Sequence, residues 1–276
     1  MSQNRTGKHI PHQQQSVAED HTQMILDGTK IQWHMDRVEA WERGEHIAPI
    51  TIDMALTRAC QYSCGFCYAM LQENDGGTIT SENMTGFLED SARMGVRGIS
   101  LVSDGESTLS RAFEHTVTYG DELGISMALG TNAYALTKPK AEKVLKHLTY
   151  LRINFSAGER DRYAEIMGVK PQAYDRVIQN IRDMVAIKQR DGLNVTLGMQ
   201  MVLMPQDGDQ ILPLVKLGRE LGVDYSIVKH CSDDEYGSLG VDYSKYESLF
   251  DVMREAESFA TDDYHVQIKW SKIMDE

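Results

Sequence analysis

The feature that most narrows the fold is an alternation of short apolar runs with amphipathic stretches between residues 50 and 229. Strands are expected at 50–56, 98–103 (GISLVS), 125–131 (ISMALGT), 150–156 (YLRINFS), 194–204 (NVTLGMQMVLM) and 225–229 (YSIVK), because each is short, rich in β-branched residues and bounded by turn formers. Helices are expected at 81–94, 109–123, 138–148, 173–188 and 210–221. Thr80 or Ser81 is positioned to cap the first and Gly95 to close it, while Thr137 and Pro139 open the third. Tyr174, Val177, Ile178, Ile181 and Val185 form one stripe at helical spacing. This alternation defines an α/β protein with a parallel sheet covered by helices. Spacing alone leaves an open doubly wound sheet and part of a (β/α) barrel as alternatives. Both place their chemistry at the C-terminal ends of the strands.

The flanks read differently. Residues 1–17 are polar and rich in Gln and His, and a mobile tail is expected. Over 18–47, Met24, Ile25, Ile31, Trp33, Met35, Val38 and Trp41 recur at helical spacing, with Gly28 dividing the stretch and Gly44 ending it. The two tryptophans are expected as packing anchors of a lid or brace. The α/β core is assigned to 48–232. A C-terminal appendage, 233–276, is expected to hold a helix at 243–260, packed through Leu249, Phe250 and Met253, and an added strand at 264–270. The formal net charge of −13 argues against a duplex nucleic-acid or anionic-membrane partner. The sequence has no apolar run of about twenty residues and no apolar leader, so no membrane partner and a cytoplasmic location are expected.

Three of the four cysteines, Cys60, Cys64 and Cys67, fall in the loop after the first expected strand. Clustered thiolates are soft ligands that suit iron–sulfur, zinc or copper, and imply a reducing compartment. Three ligands are one short of a closed structural site. Two readings stay open on spacing: a cubane with one open iron, or a structural zinc completed by a distant His, Asp or Cys in a noncatalytic interaction protein.

The spacing C-x3-C-x2-C, with Phe66 just before the third cysteine, resembles the signature of the radical S-adenosylmethionine (radical SAM) superfamily. The resemblance implies a partial (β/α)6 TIM-like barrel with an N-terminal helical extension and a short C-terminal appendage. It implies that Cys60, Cys64 and Cys67 hold a 4Fe–4S cluster whose open iron chelates S-adenosylmethionine. Reductive cleavage then gives a 5'-deoxyadenosyl radical that abstracts a hydrogen from substrate, with electrons from a flavodoxin or ferredoxin. Phe66 is expected against the adenine. SDGES (103–107) resembles the family's glycine–glycine–glutamate motif, with Asp104 in place of the first glycine. Ser103, Asp104, Gly105 and Glu106 are therefore expected at the cofactor, Glu106 opposite its ammonium group. TNA (131–133) resembles a threonine–asparagine–glycine turn and brings in Asn132. NFSAG (154–158) resembles the serine-containing segment that meets the ribose or carboxylate and brings in Asn154 and Ser156. Gln200 and Met201 point to opposite faces of one strand, and Met201 is the cofactor candidate. Arg160 and Arg162, placed in a loop, are candidates for a carboxylate or phosphate. The stretch from Phe155 to Ile181 also resembles members with a C-terminal auxiliary-cluster extension, for which this chain has no cysteines; a short member and a fragment of a longer protein are both compatible.

Cys231 stands alone in KHCSDDE, directly after the sixth expected strand. A thiol there suits hydrogen-atom donation to a substrate radical, as in radical epimerases. His230 suits general acid–base work, and Lys229, Asp233, Asp234 and Glu235 add charges for a polar substrate. The resulting expectation is a radical SAM enzyme acting on a sugar- or nucleoside-like molecule or a peptide, with epimerisation first. Dehydrogenation, elimination or carbon-skeleton rearrangement are the alternatives.

Overall fold

A computed structural model describes residues 34–71, 79–270 and 273. The tail at 1–17 and the positions Met24, Ile25, Gly28, Ile31 and Trp33 lie outside the described residues. Seven strands form one sheet: β1 (Thr51–Met54), β2 (Gly98–Leu101), β3 (Ser126–Thr131), β4 (Leu148–Asn154), β5 (Thr196–Leu203), β6 (Tyr225–His230) and β7 (His265–Ile268). Their spatial order is the chain order, and every neighbouring pair is parallel. A doubly wound sheet reverses its strand order at a switch point; this one does not, so it is a partial (β/α) barrel. The added C-terminal strand joins the same sheet as β7 beside β6.

The helices are α1 (Met35–Glu42), α2 (Ser81–Met94), α3 (Phe113–Glu122), α4 (Lys138–Val144), α5 (Arg160–Ile166), α6 (Gln172–Asp191), α7 (Ile211–Leu221) and α8 (Phe250–Glu257). From α2 to α4 and from α6 to α8, each packs on the next, with α4 against α6. They cover the outer face of the sheet. Thr80 caps α2 through a reciprocal box with Asn83, as its sequence suggests. Period-2 alternation sends Leu151, Ile153, Met199, Met201 and Leu203 into the apolar layer with Ile181, Met184 and Val215. Each such fully buried side chain contributes roughly 1.5–3 kcal/mol. The opposite parity, Arg152, Asn154, Gln200 and Val202, faces a cavity.

Three expectations change. Arg160 and Arg162 lie in α5, not in a loop. The expected helix at 243–260 is a 3-10 turn at Tyr243–Leu249 followed by α8. Trp41 is 66% exposed on α1, which buries none of its residues, so it is no packing anchor among the described residues. The helix is held instead by Arg37, which donates to the carbonyls of Ala48 (2.7 Å) and Gly95 (3.1 Å).

Candidate active site at the strand C-termini

One cavity of about 930 Å³ opens where the strands end. Cys60, Cys64 and Cys67 line it from the loop after β1, with Phe66 beside them. That loop is tied down from several sides. Tyr62, inside the C-x3-C spacing, is buried; its hydroxyl pairs with that of Tyr163 at 3.0 Å, and its ring meets Tyr134 edge-on. Gly65 N–H donates to the Ile166 carbonyl at 3.3 Å, and Cys67 N–H to that of Cys64 at 3.1 Å. Two glycines let other segments approach the loop backbone. A Cβ on Gly105 (φ 62) would overlap the Thr57 carbonyl oxygen, and one on Gly168 (φ 61) that of Ser63.

Glu106 organises the adjoining wall. It is 2% exposed, and its carboxylate accepts from Thr108 N–H (3.1 Å), Thr108 Oγ1 (2.6 Å), Thr131 Oγ1 (2.7 Å) and Asn132 N–H (2.7 Å). Four donors satisfy the buried charge. Glu106 thereby pins the end of β2 to the end of β3 while still lining the cavity; three of its four donors reach Oε1 and one, Asn132 N–H, reaches Oε2. Asn132 carries the connection onward: its amide nitrogen stands 3.8 Å from Cys60 Sγ, and its Oδ1 accepts from Gln61 at 3.0 Å. Asp104, where the motif has glycine, lies 3.8 Å from Arg58 of the cysteine loop. Ser103 holds a φ of 122°, which side-chain-bearing residues rarely adopt. Ala133 holds a φ of 58°, with its carbonyl accepting from Asn180 at 2.8 Å.

Asn154 and Gln200 line the cavity as a bonded amide pair at 3.0 Å. Met201 and Ser156 fall outside the lining. Met201 has the opposite parity and is fully buried under the helices, and the Ser156 hydroxyl accepts the Val202 N–H at 3.1 Å. Arg160 pairs with Asp175 (2.9 Å) and Arg162 with Asp207 and Asp209 (3.0 Å each), so both clip α5 in place instead of facing a ligand. Asp233 accepts from the N–H groups of Asp234, Leu239 and Val241, and Asp234 from those of Tyr236 and Ser238, which folds their own loop. Neither these two nor Glu235 lines the cavity. Lys229, His230, Cys231 and Ser232 do. His230 is 2% exposed between the rings of Tyr243 and Tyr246.

Burial pushes the Cys64 thiol up to about 12, with Cys67 and Cys60 adding to the rise, and burial also raises Cys60. Thiolates so placed need a cationic partner to ionise. Among the described residues, no three His, Cys, Asp or Glu side chains converge on a single ion. The three ligands of a cubane sit on three different irons and need no such convergence. A soft three-thiol set on one wall of a large cavity, with adjoining room for a second ligand, fits a 4Fe–4S cluster with S-adenosylmethionine.

Comparison with known proteins agrees. The chain is 27% identical to a probable GTP 3',8-cyclase of Saccharolobus solfataricus over 171 residues, 62% of this chain and 53% of that protein. It is 29% identical to an S-adenosylmethionine-dependent nucleotide dehydratase of Pseudoalteromonas ulvae over 129 residues, 41% of this chain and 42% of that one. The chain thus spans about half the length of the curated relatives it matches. Its fold matches Streptococcus suis SuiB bound to S-adenosylmethionine with a TM-score of 0.66 at 19% identity, covering 87% of this chain and 55% of SuiB. It also matches anSMEcpe with bound AdoMet, TM-score 0.62 at 15% identity, covering 80% and 64%. The family model described as the Radical SAM superfamily matches residues 54–217, more than half of the chain. With that match, the cysteine loop and the barrel, the chain belongs to the radical SAM superfamily, whose enzymes use S-adenosylmethionine with a 4Fe–4S cluster.

Proposed function

We propose that this chain reductively cleaves S-adenosylmethionine at a cluster held by Cys60, Cys64 and Cys67, and removes a hydrogen atom from a small polar, nucleotide-like or peptide substrate bound in the same cavity. The observation that carries this reading is the opening of three thiols, the Glu106–Asn132 wall and the Asn154–Gln200 pair onto one space. When bound, the cluster and cofactor supply the one-electron chemistry that takes the hydrogen. The chain's own residues shape its course. Phe66 offers an aromatic face, and Ser103 to Gly105 bring backbone close to the cysteine loop. His230 and Lys229 present polar groups at the end of β6.

Epimerisation is the favoured outcome, on the placement of Cys231. This thiol is buried in the fold yet lines the cavity, and burial pushes it up to about 11. It therefore stays an S–H at neutral pH. Donation of that hydrogen to the opposite face of a substrate radical forms the new C–H bond and leaves a thiyl on Cys231. One electron and one proton, from a donor of flavodoxin or ferredoxin class, restore the thiol. Relatives named for GTP cyclisation and nucleotide dehydration support a nucleotide-like substrate. SuiB bound to its precursor peptide supports a peptide. Among the described residues no helix is long and apolar enough to cross a membrane.

The test is anaerobic reconstitution followed by reduction with dithionite in the presence of S-adenosylmethionine. Methionine and 5'-deoxyadenosine should form, with about four irons and four sulfides per chain as the family's cluster requires. Cys64→Ala should lose both. One zinc and no sulfide, or iron unchanged in Cys64→Ala, would overturn the reading.

A further inference from the structure

Arg152 stands on the inner face of β4, two residues before Asn154 and so roughly 7 Å deeper along the strand. Its register neighbours on both sides are glycines, Gly130 on β3 and Gly198 on β5. The Tyr225 ring packs over Gly198, where a Cβ would overlap it. On the other flank, a Cβ on Gly130 would stand 3.8 Å from a terminal nitrogen of Arg152. The two glycines thus admit the Tyr225 ring on one flank and Val102 on the other, and the guanidinium beside them lines the main cavity.

This arginine differs from Arg160, Arg162 and Arg190, each of which grips a carboxylate of the protein. The Arg152 Nε is buried and has no hydrogen-bond partner. Among the described residues, the carboxylates that line the cavity are Asp104 and Glu106. Asp104 faces Arg58, and Glu106 accepts from Thr108, Thr131 and Asn132. A guanidinium keeps its charge at every accessible pH and presents a planar fork matched to carboxylate or phosphate oxygens. A buried donor without an acceptor is costly, and native structures supply one. The mechanism proposed above gives Arg152 no task with the cofactor.

We infer that Arg152 is the anchor for an anionic oxygen group of the substrate, a carboxylate or a phosphate, seated on the cavity floor below the Asn154–Gln200 pair. This deepens the proposed reading and rests on it for the identity of the cavity. With its anionic end held there, the substrate extends toward the cysteine loop, and the carbon that loses its hydrogen lies between the anchor and the rim.

The experiment uses the reconstituted protein saturated with S-adenosylmethionine, so that the cofactor's own carboxylate subsite is filled. Sodium phosphate and sodium succinate are titrated at constant ionic strength against sodium chloride. Binding is followed by calorimetry and by the side-chain Nε–H resonances of arginine-labelled protein. Wild type should bind one of the two anions saturably, with a shift of one buried Nε–H signal that is missing in Arg152→Lys. Arg152→Met should weaken that anion by about tenfold or more, the loss of a charge-assisted pair, and Arg152→Lys by less. A preference for phosphate assigns a phosphorylated substrate and a preference for succinate a carboxylate. Should Arg152→Met fail to fold, the wild-type resonance and Arg152→Lys decide. No saturable anion binding, or equal binding in the variants, overturns the inference. Lack of cofactor cleavage under dithionite, measured on the same sample, would instead reject the radical reading.

Discussion

The thiol of Cys231 lies 3.9 Å from the carbonyl oxygen of Phe66, although 165 residues separate them. The contact seats the end of β6 against the cysteine loop, so the fourth cysteine and the three-cysteine set share one rim. The Cys231 N–H meets the Tyr246 hydroxyl at 3.1 Å, and that hydroxyl donates to the Leu203 carbonyl at 2.5 Å. The thiol is therefore fixed by its neighbours on both sides.

From this placement, Cys231→Ala should keep cofactor cleavage and lose inverted product, because the initiating chemistry is made at other residues. In deuterated water the wild-type product should gain one deuterium at the reacting carbon, as the thiol proton exchanges with solvent. The variant should lose roughly 1 kcal/mol of stability from a small packing defect. Product analysis by mass spectrometry and NMR checks the point. Normal product from the variant would move dehydrogenation or rearrangement ahead of epimerisation.

Glu106→Ala should destabilise the fold by roughly 2–4 kcal/mol, because it strands four donors that the carboxylate now receives. Weaker cofactor binding would follow from the loosened wall. Glu106→Gln should fall between the two, since one amide oxygen replaces two acceptor oxygens. Denaturant titration beside cofactor titration separates the effects. A variant of wild-type stability with weakened cofactor affinity would assign Glu106 the direct ammonium contact.

The strands and most helices were legible because each apolar run is short, punctuated and followed by a helical stripe. The position of the cysteine loop at the strand ends followed from that order. Helix α5 was not legible: RDRYAEI is short and charged, and its arginines are matched by Asp175, Asp207 and Asp209, 15 to 47 residues away. Period-2 patterning shows that Gln200 and Met201 oppose each other but not which faces the mouth; the helices covering the outer face decide it. That the Ser156 hydroxyl accepts a neighbouring strand's N–H was not legible either, because the bond spans 46 residues. Arg152 gave no signal, since a lone cation in an apolar run has no local pattern. Gly168 gave no signal either, because the helix it follows was itself not legible.

Asn132→Ala should leave the iron content near wild type but move the cluster's midpoint potential to more negative values. Its amide nitrogen stands 3.8 Å from Cys60 Sγ, and N–H groups directed at ligand sulfurs favour the reduced state. The variant also releases Gln61. Redox titration followed by electron paramagnetic resonance reads the shift, and an unchanged potential would remove Asn132 from the cluster environment.

Gly168→Ala tests whether the cysteine loop is positioned from outside its own sequence. Gly168 follows α5 with φ 61, and an added Cβ would overlap the Ser63 carbonyl oxygen between Cys60 and Cys64. The same junction includes the Gly65 N–H bond to Ile166, at 3.3 Å. A methyl group here must either displace the end of α5, which Arg162 clips to Asp207 and Asp209, or displace the loop. The loop carries less buried apolar surface, since Gln61, Ser63 and Gly65 are exposed, so the loop should give way. The expected cost is about 1–3 kcal/mol from left-handed strain and overlap. Iron content should fall well below wild type while far-ultraviolet circular dichroism stays that of the intact barrel. Full iron incorporation at wild-type stability would show that the loop positions its three thiols without support from α5.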